Sequence, residues 1–140
     1  LLTLPYYFNQ EMAVALAGAR PVCVPPGPGF HPDPDALAAA VTSRTRMVVT
    51  VSPNNPTGAV CPVGILREVN ALCARRGLVH VSDETYEDFT WDGAPHVSPC
   101  GFPGSEPHTI RLFSFSKSFG LAGWRVGGCV FPKPLHETLR

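Results

Sequence analysis

The run Met47-Val48-Val49-Thr50-Val51 is apolar along almost its whole length, ends in a turn and is too short to be a helix. A strand with one face in water alternates apolar and polar residues, whereas a strand buried on both faces does not. Similar runs recur at Leu1 to Leu4, Pro21 to Val24, Leu78 to Val81, Thr109 to Phe113 and Val126 to Phe131. Helical patterns separate several of them. Parallel strands need crossover connections, and helices supply those while covering the sheet. The expected class is therefore α/β, a mainly parallel sheet flanked by helices on both faces.

The intervening segments carry their own signals. Asn9 to Leu16 reads as a helix, and Asp33-Pro34-Asp35 starts another that runs through Ala40, with a carboxylate near its positive end. Leu66, Val69, Leu72 and Cys73 recur at helical spacing between Val63 and Arg76, and Gly77 stands where a C-terminal glycine belongs. Pro25 to Phe30 is a loop, and Asp92 to Pro107 is a looser connection with no strong period. The chain begins at Leu1 inside a strand, without an initiator Met, and reaches Arg140 inside a helix expected after Pro132 and Pro134. Both ends read as cut.

Composition excludes several classes of function. The 140 residues carry zero formal charge, and the eleven basic residues are scattered, which leaves no footprint for nucleic acid or an anionic membrane. No run has the length of a membrane span, and no signal peptide opens the chain. The expectation is a soluble, intracellular, cytoplasmic protein with no nucleic acid or membrane partner. Five cysteines (Cys23, Cys61, Cys73, Cys100 and Cys129) are odd in number and widely spaced, which supports neither a disulfide framework nor a metal site. Most are expected to be buried small hydrophobes, Cys73 in a helix and Cys129 in a strand. His80, alternating within an apolar strand, reads as a satisfied core or edge histidine.

In an open α/β sheet, ligands bind beyond the carboxyl ends of the strands. Three such ends carry reactive side chains: Ser52-Pro53-Asn54-Asn55-Pro56-Thr57-Gly58, Ser82-Asp83-Glu84-Thr85-Tyr86, and Ser114-Phe115-Ser116-Lys117. Taken singly, each has an ordinary reading as a turn, a helix cap or a surface lysine. Their joint occurrence around one crevice weakens all of those readings.

The chemistry is specific. Lys117 is one of only two lysines, set among small hydroxyl residues and glycines, with Arg125 following. Desolvation and a neighbouring cation lower an amine's pKa, and the neutral amine condenses with an aldehyde. A carboxylate such as Asp83 at a buried strand end is costly unless it meets a cation, and a protonated pyridine nitrogen is a suitable one. Asn55 and Tyr86 suit a ring hydroxyl, and Ser114 and Arg125 suit a phosphate. Together these roles describe pyridoxal 5'-phosphate.

The stretch from Ser114 to Gly127, Ser-Phe-Ser-Lys-Ser-Phe-Gly-Leu-Ala-Gly-Trp-Arg-Val-Gly, resembles the Schiff-base lysine motif of the pyridoxal-phosphate-dependent aminotransferases of fold type I, class I/II. Asn55-Pro56-Thr57-Gly58 is similar to that family's Asn-Pro-x-Gly turn, and Asp83 to Tyr86 to its Asp-x-x-Tyr segment. The resemblance covers nearly the whole chain. It implies that Lys117 forms the internal aldimine and shuttles the proton, and that Asp83 pairs with the ring nitrogen. Asn55 and Tyr86 would then contact the ring oxygen, Ser114 and Arg125 the phosphate, and Tyr7 would stack on the ring.

The same resemblance implies that residues 1 to 140 are the central part of a large cofactor-binding domain. The amino-terminal segment that cups the phosphate and the small domain with its carboxylate-binding arginine would lie outside the chain. The implied activity is transfer of an amino group between an amino acid and a 2-oxo acid, in a parent enzyme that is a homodimer, with the fragment inactive alone. Lyases and synthases of the same fold, and aminotransferase-like domains of transcription regulators, are the alternatives.

Overall fold

The computed structural model describes residues 1–137. Its strands are β1 (Leu2–Thr3), β2 (Cys23–Val24), β3 (Met47–Val51), β4 (Val79–Asp83), β5 (Thr109–Ser114) and β6 (Gly127–Val130). The helices are α1 (Phe8–Leu16), α2 (Pro34–Ala40), α3 (Val63–Arg76) and the short α4 (Phe115–Ser118). All six strands join one sheet in the order β2-β1-β3-β4-β5-β6. Every neighbouring pair is parallel except β5 with β6. The mainly parallel sheet expected from the apolar runs is present.

Helix ends follow their local chemistry. Asp33 caps α2, its carboxylate accepting from the backbone N–H groups of Asp35 (2.9 Å) and Ala36 (3.1 Å). Gly77 ends α3 in the left-handed region at φ 63°, and the Leu78 N–H returns to the Cys73 carbonyl at 2.9 Å. Helices α2 and α3 pack on the sheet through Leu37, Val69, Leu72 and Cys73, against Val24, Val48 and Leu78. Each buried aliphatic side chain contributes roughly 2 kcal/mol. A second cluster joins Leu66 to Cys61 and Phe102.

Several boundaries differ from the sequence expectation. β4 runs on through Ser82 and Asp83, because these residues still pair with Thr50 and Val51 on one side and with Arg111 and Leu112 on the other. β5 likewise includes Ser114, which pairs with Gly127. The Pro25 to Phe30 loop contains a 3-10 turn at Pro28–Phe30. Near the carboxyl end, a 3-10 turn occupies Lys133–Leu135, and the remainder of the expected helix lies partly outside the described residues.

Helical cover also differs. α1 has no buried residue: Phe8, Met12 and Leu16, one turn apart along one stripe, are all exposed. Of the cysteines, Cys61 and Cys73 are buried, whereas Cys23 and Cys129 are exposed. The last two sit on β2 and β6, edge strands with a neighbour on one side only. His80 is fully buried and satisfied, Nε2 by Thr50 Oγ1 (2.9 Å) and Nδ1 by Asn70 Nδ2 (3.0 Å).

Candidate active site

Because β3, β4 and β5 are adjacent and parallel, their carboxyl ends lie side by side. The turn after β3 is organised by Asn54. Its Oδ1 accepts from the Thr57 N–H (3.3 Å) and Thr57 Oγ1 (3.0 Å), and its Nδ2 donates to the Pro5 carbonyl beyond β1 (3.4 Å). Gly58 closes the turn at φ 74°, a conformation that favours glycine. Asn54 thus does the structural work of this turn, which leaves the half-buried side chain of the neighbouring Asn55 without a hydrogen bond among the described residues.

Asp83 is the last residue of β4, held from two directions. Its Oδ1 accepts from Thr85 Oγ1 (2.8 Å) and the Thr85 N–H (3.1 Å), and its Oδ2 from Gln10 Nε2 of α1 (3.1 Å). All of these donors are neutral. Among the described residues no Lys, Arg or His forms an ion pair with this half-buried carboxylate. Gln10 drew no attention in the sequence, where a polar residue on a surface helix looks solvated.

Lys117 lies in α4, immediately beyond β5, and its Nζ stands 5.8 Å from the centre of the Tyr86 ring. The lysine is exposed and forms no ion pair among the described residues. Ser114 caps this short helix, its hydroxyl accepting from the Ser116 N–H at 3.1 Å. The Ser114 to Gly127 pairing brings the segment containing Arg125 to the same end of the sheet. Arg125 itself has φ 52°, and its Nη1 donates to the Ala122 carbonyl at 2.9 Å, so its side chain folds back on its own turn. Tyr7, at the N-cap of α1, is exposed and packs edge-on against Phe8, with ring centres 4.7 Å apart. Lys117 Nζ and the Tyr86 ring are therefore within reach of each other, while among the described residues Asn55, Arg125 and Tyr7 form no hydrogen bond or ring contact with another candidate.

Glu84 escaped the sequence reading. Strand alternation sends it to the face opposite Asp83, where it is fully buried. Ser98 Oγ donates to it at 2.7 Å, His96 Nε2 lies 3.1 Å away and Arg111 Nε 2.8 Å away. Arg111 also pairs with Glu87. Burial alone pushes the Glu84 carboxyl up, but hydrogen bonds from His96, Ser98 and Ser82 outweigh it and hold the group below its ordinary value. Glu84, Glu87 and His96 are close enough to share a cation, but Arg111 already supplies one.

A carboxylate held by neutral donors and a lysine that forms no ion pair among the described residues fit a ligand with a cationic ring nitrogen and an aldehyde. The profile of the family described as aminotransferase class I and II matches residues 1–140. This chain belongs to the class I and II aminotransferases.

Members of that family work with pyridoxal 5'-phosphate. A probable N-succinyldiaminopimelate aminotransferase of Mycobacterium tuberculosis is 41% identical over 143 residues, which cover 100% of this chain and 36% of that protein. A probable aspartate/prephenate aminotransferase of Thermus aquaticus is also 41% identical, over 99% of this chain and 36% of its own. A double mutant of the Thermus thermophilus aspartate aminotransferase superposes with TM-score 0.92 at 36% identity, over 99% of this chain and 36% of that one. The chain thus spans about a third of the length of these aminotransferases.

Proposed function

We propose that residues 1 to 140 form the central part of the large cofactor-binding domain of a pyridoxal-phosphate-dependent aminotransferase, whose remaining large-domain segment and small domain lie outside the chain. The whole protein would transfer an amino group between an amino acid and a 2-oxo acid. The observation that carries this reading is that Asp83, held by neutral donors, and Lys117, beyond the next strand end, each form no ion pair among the described residues.

When bound, pyridoxal phosphate supplies an aldehyde and an electron-accepting ring. In this reading the Lys117 amine would be the group that holds the aldehyde, and as a free amine it would take the proton from the substrate α-carbon. Asp83 keeps the proton on the ring nitrogen, because an anion beside it favours the charged form. Asn55 and Tyr86 would donate to the ring oxygen, Tyr7 would flank the ring, and Ser114 and Arg125 would hold the phosphate. For the last role, Arg125 must exchange its contact with the Ala122 carbonyl for the ligand.

Two coarser properties extend to the whole protein. The exposed apolar stripe Phe8, Met12 and Leu16 supports burial of α1 in an assembled homodimer. Free cysteines, including the exposed Cys23 and Cys129, support a reducing compartment such as the cytoplasm. Among the described residues no helix is long and apolar enough to cross a membrane.

Assaying the cofactor-loaded full-length protein with a panel of amino acids, with and without a 2-oxo acid acceptor, tests the activity. Sustained release of the new oxo acid only when the acceptor is present is the expected result. Sustained release without acceptor would make the protein a lyase, and cofactor binding with no turnover would make it a binding domain.

A further inference from the structure

Helix α1 exposes its largest apolar residues, Phe8, Met12 and Leu16, while the two residues it half-buries, one turn apart, are Val14 and the polar Gln10. Among the described residues, the bond from Gln10 Nε2 to Asp83 Oδ2, at 3.1 Å and across 73 sequence positions, is the only side-chain hydrogen bond between α1 and the sheet. The inward face of the helix thus carries a polar contact to a carboxylate beside the half-buried Val14.

Lone-pair accounting shows what that contact controls. Oδ1 of Asp83 accepts two donors from Thr85, which fills its capacity. Among the described residues Oδ2 accepts only from Gln10 and keeps one lone pair. Oδ2 is therefore the oxygen left to face a cationic ligand, and Gln10 fixes where that oxygen points. An ionised carboxylate accepts but cannot donate, so the amide must present its NH2 group to Asp83 and its oxygen away from it. Gln10 also lines a small cavity with Thr3 and His31, whose Oγ1 and Nδ1 are buried and lack partners among the described residues.

We infer that Gln10 is a positioning residue for the reaction: it orients Asp83 Oδ2 toward the cofactor's ring nitrogen without touching substrate or cofactor itself. This deepens the proposed function and rests on the reading of Asp83 given there. A double-mutant cycle in the full-length protein separates the two claims, with kcat and KM measured for each cofactor-loaded variant. Pyridoxal-phosphate affinity, measured on the unloaded protein by fluorescence titration, should weaken severalfold on Gln10→Leu beside Asp83 and stay unchanged on the same substitution in the Asp83→Asn protein. Gln10→Leu keeps approximate size and removes the donor, and kcat should fall on the order of tenfold with KM nearly unchanged, the scale of one hydrogen bond to a charged group. In an Asp83→Asn background the same change should alter kcat by less than about twofold, because the carboxylate it orients is gone. Should the Leu variant fail to fold, the isosteric Gln10→Glu provides the same test, with a fall at least as large because it sets two carboxylates together. An equal loss in both backgrounds, or a Gln10→Glu protein with unchanged kcat, would overturn the inference while leaving the role of Asp83 intact. If Asp83→Asn alone leaves kcat unchanged, the reading of Asp83 fails, and the inference with it.

Discussion

Asp83 and Glu84 are consecutive carboxylates with opposite fates, because alternation along β4 points one at the strand-end crevice and the other at the opposite face. Asp83 and Lys117 could be picked out in the sequence because each is an ionisable group at the end of an apolar run. Glu84 could not, since its cation Arg111 sits on the next strand and the pairing depends on register. Gln10 was hidden in the same way by its distance from Asp83. Replacing Glu84 with Ala leaves Arg111 facing only Glu87, and we expect a loss of about 3 kcal/mol in urea unfolding, the cost of breaking a buried pair. His80 has a pH signature: burial foremost, then the neighbouring His108, lowers its pKa from 6.5 to about 4. A base with a depressed folded pKa takes up protons on unfolding, so its contribution is complete above pH 6.5 and is lost as pH falls toward 4. The loss amounts to about 3 kcal/mol. Unfolding curves at neutral and acidic pH should show it for the native protein, and His80→Gln should reduce the pH dependence.

Among the elements, the strands and longer helices were readable to within a residue or two, since period and punctuation fix them locally. Their ends were not, because ladder partners decide where pairing stops: β4 and β5 each continue past the last apolar residue as long as a neighbour is in register. β6 adds a constraint of its own. A Cβ on Gly127 would stand 2.7 Å from the Phe113 carbonyl oxygen, and one on Gly128 2.5 Å from the Phe113 ring. Gly127→Ala meets backbone rather than a movable side chain, so β5 and β6 must separate. The expected destabilisation is about 1–3 kcal/mol, measured as a shift in urea midpoint at unchanged slope. A variant as stable as the parent would show that the strand pair tolerates the shift.

At the scale of the molecule, strand order places the separate motifs side by side. β3, β4 and β5 are neighbours, so the Asn54 turn, Asp83 and Lys117 follow adjacent strand ends although they are far apart in sequence. That convergence was legible because a parallel sheet puts all its carboxyl ends on one edge. The surroundings of α1 were not, since period shows that a helix is amphipathic but not what its apolar stripe meets. The central claim is that Lys117 holds the cofactor, and borohydride reduction of the pyridoxal-phosphate-loaded full-length protein followed by peptide mass mapping tests it most directly. A pyridoxyl group on Lys117, absent from a Lys117→Ala protein, is the predicted result; labelling of the Ala variant to the same extent, or label found at Lys133 instead, would contradict it.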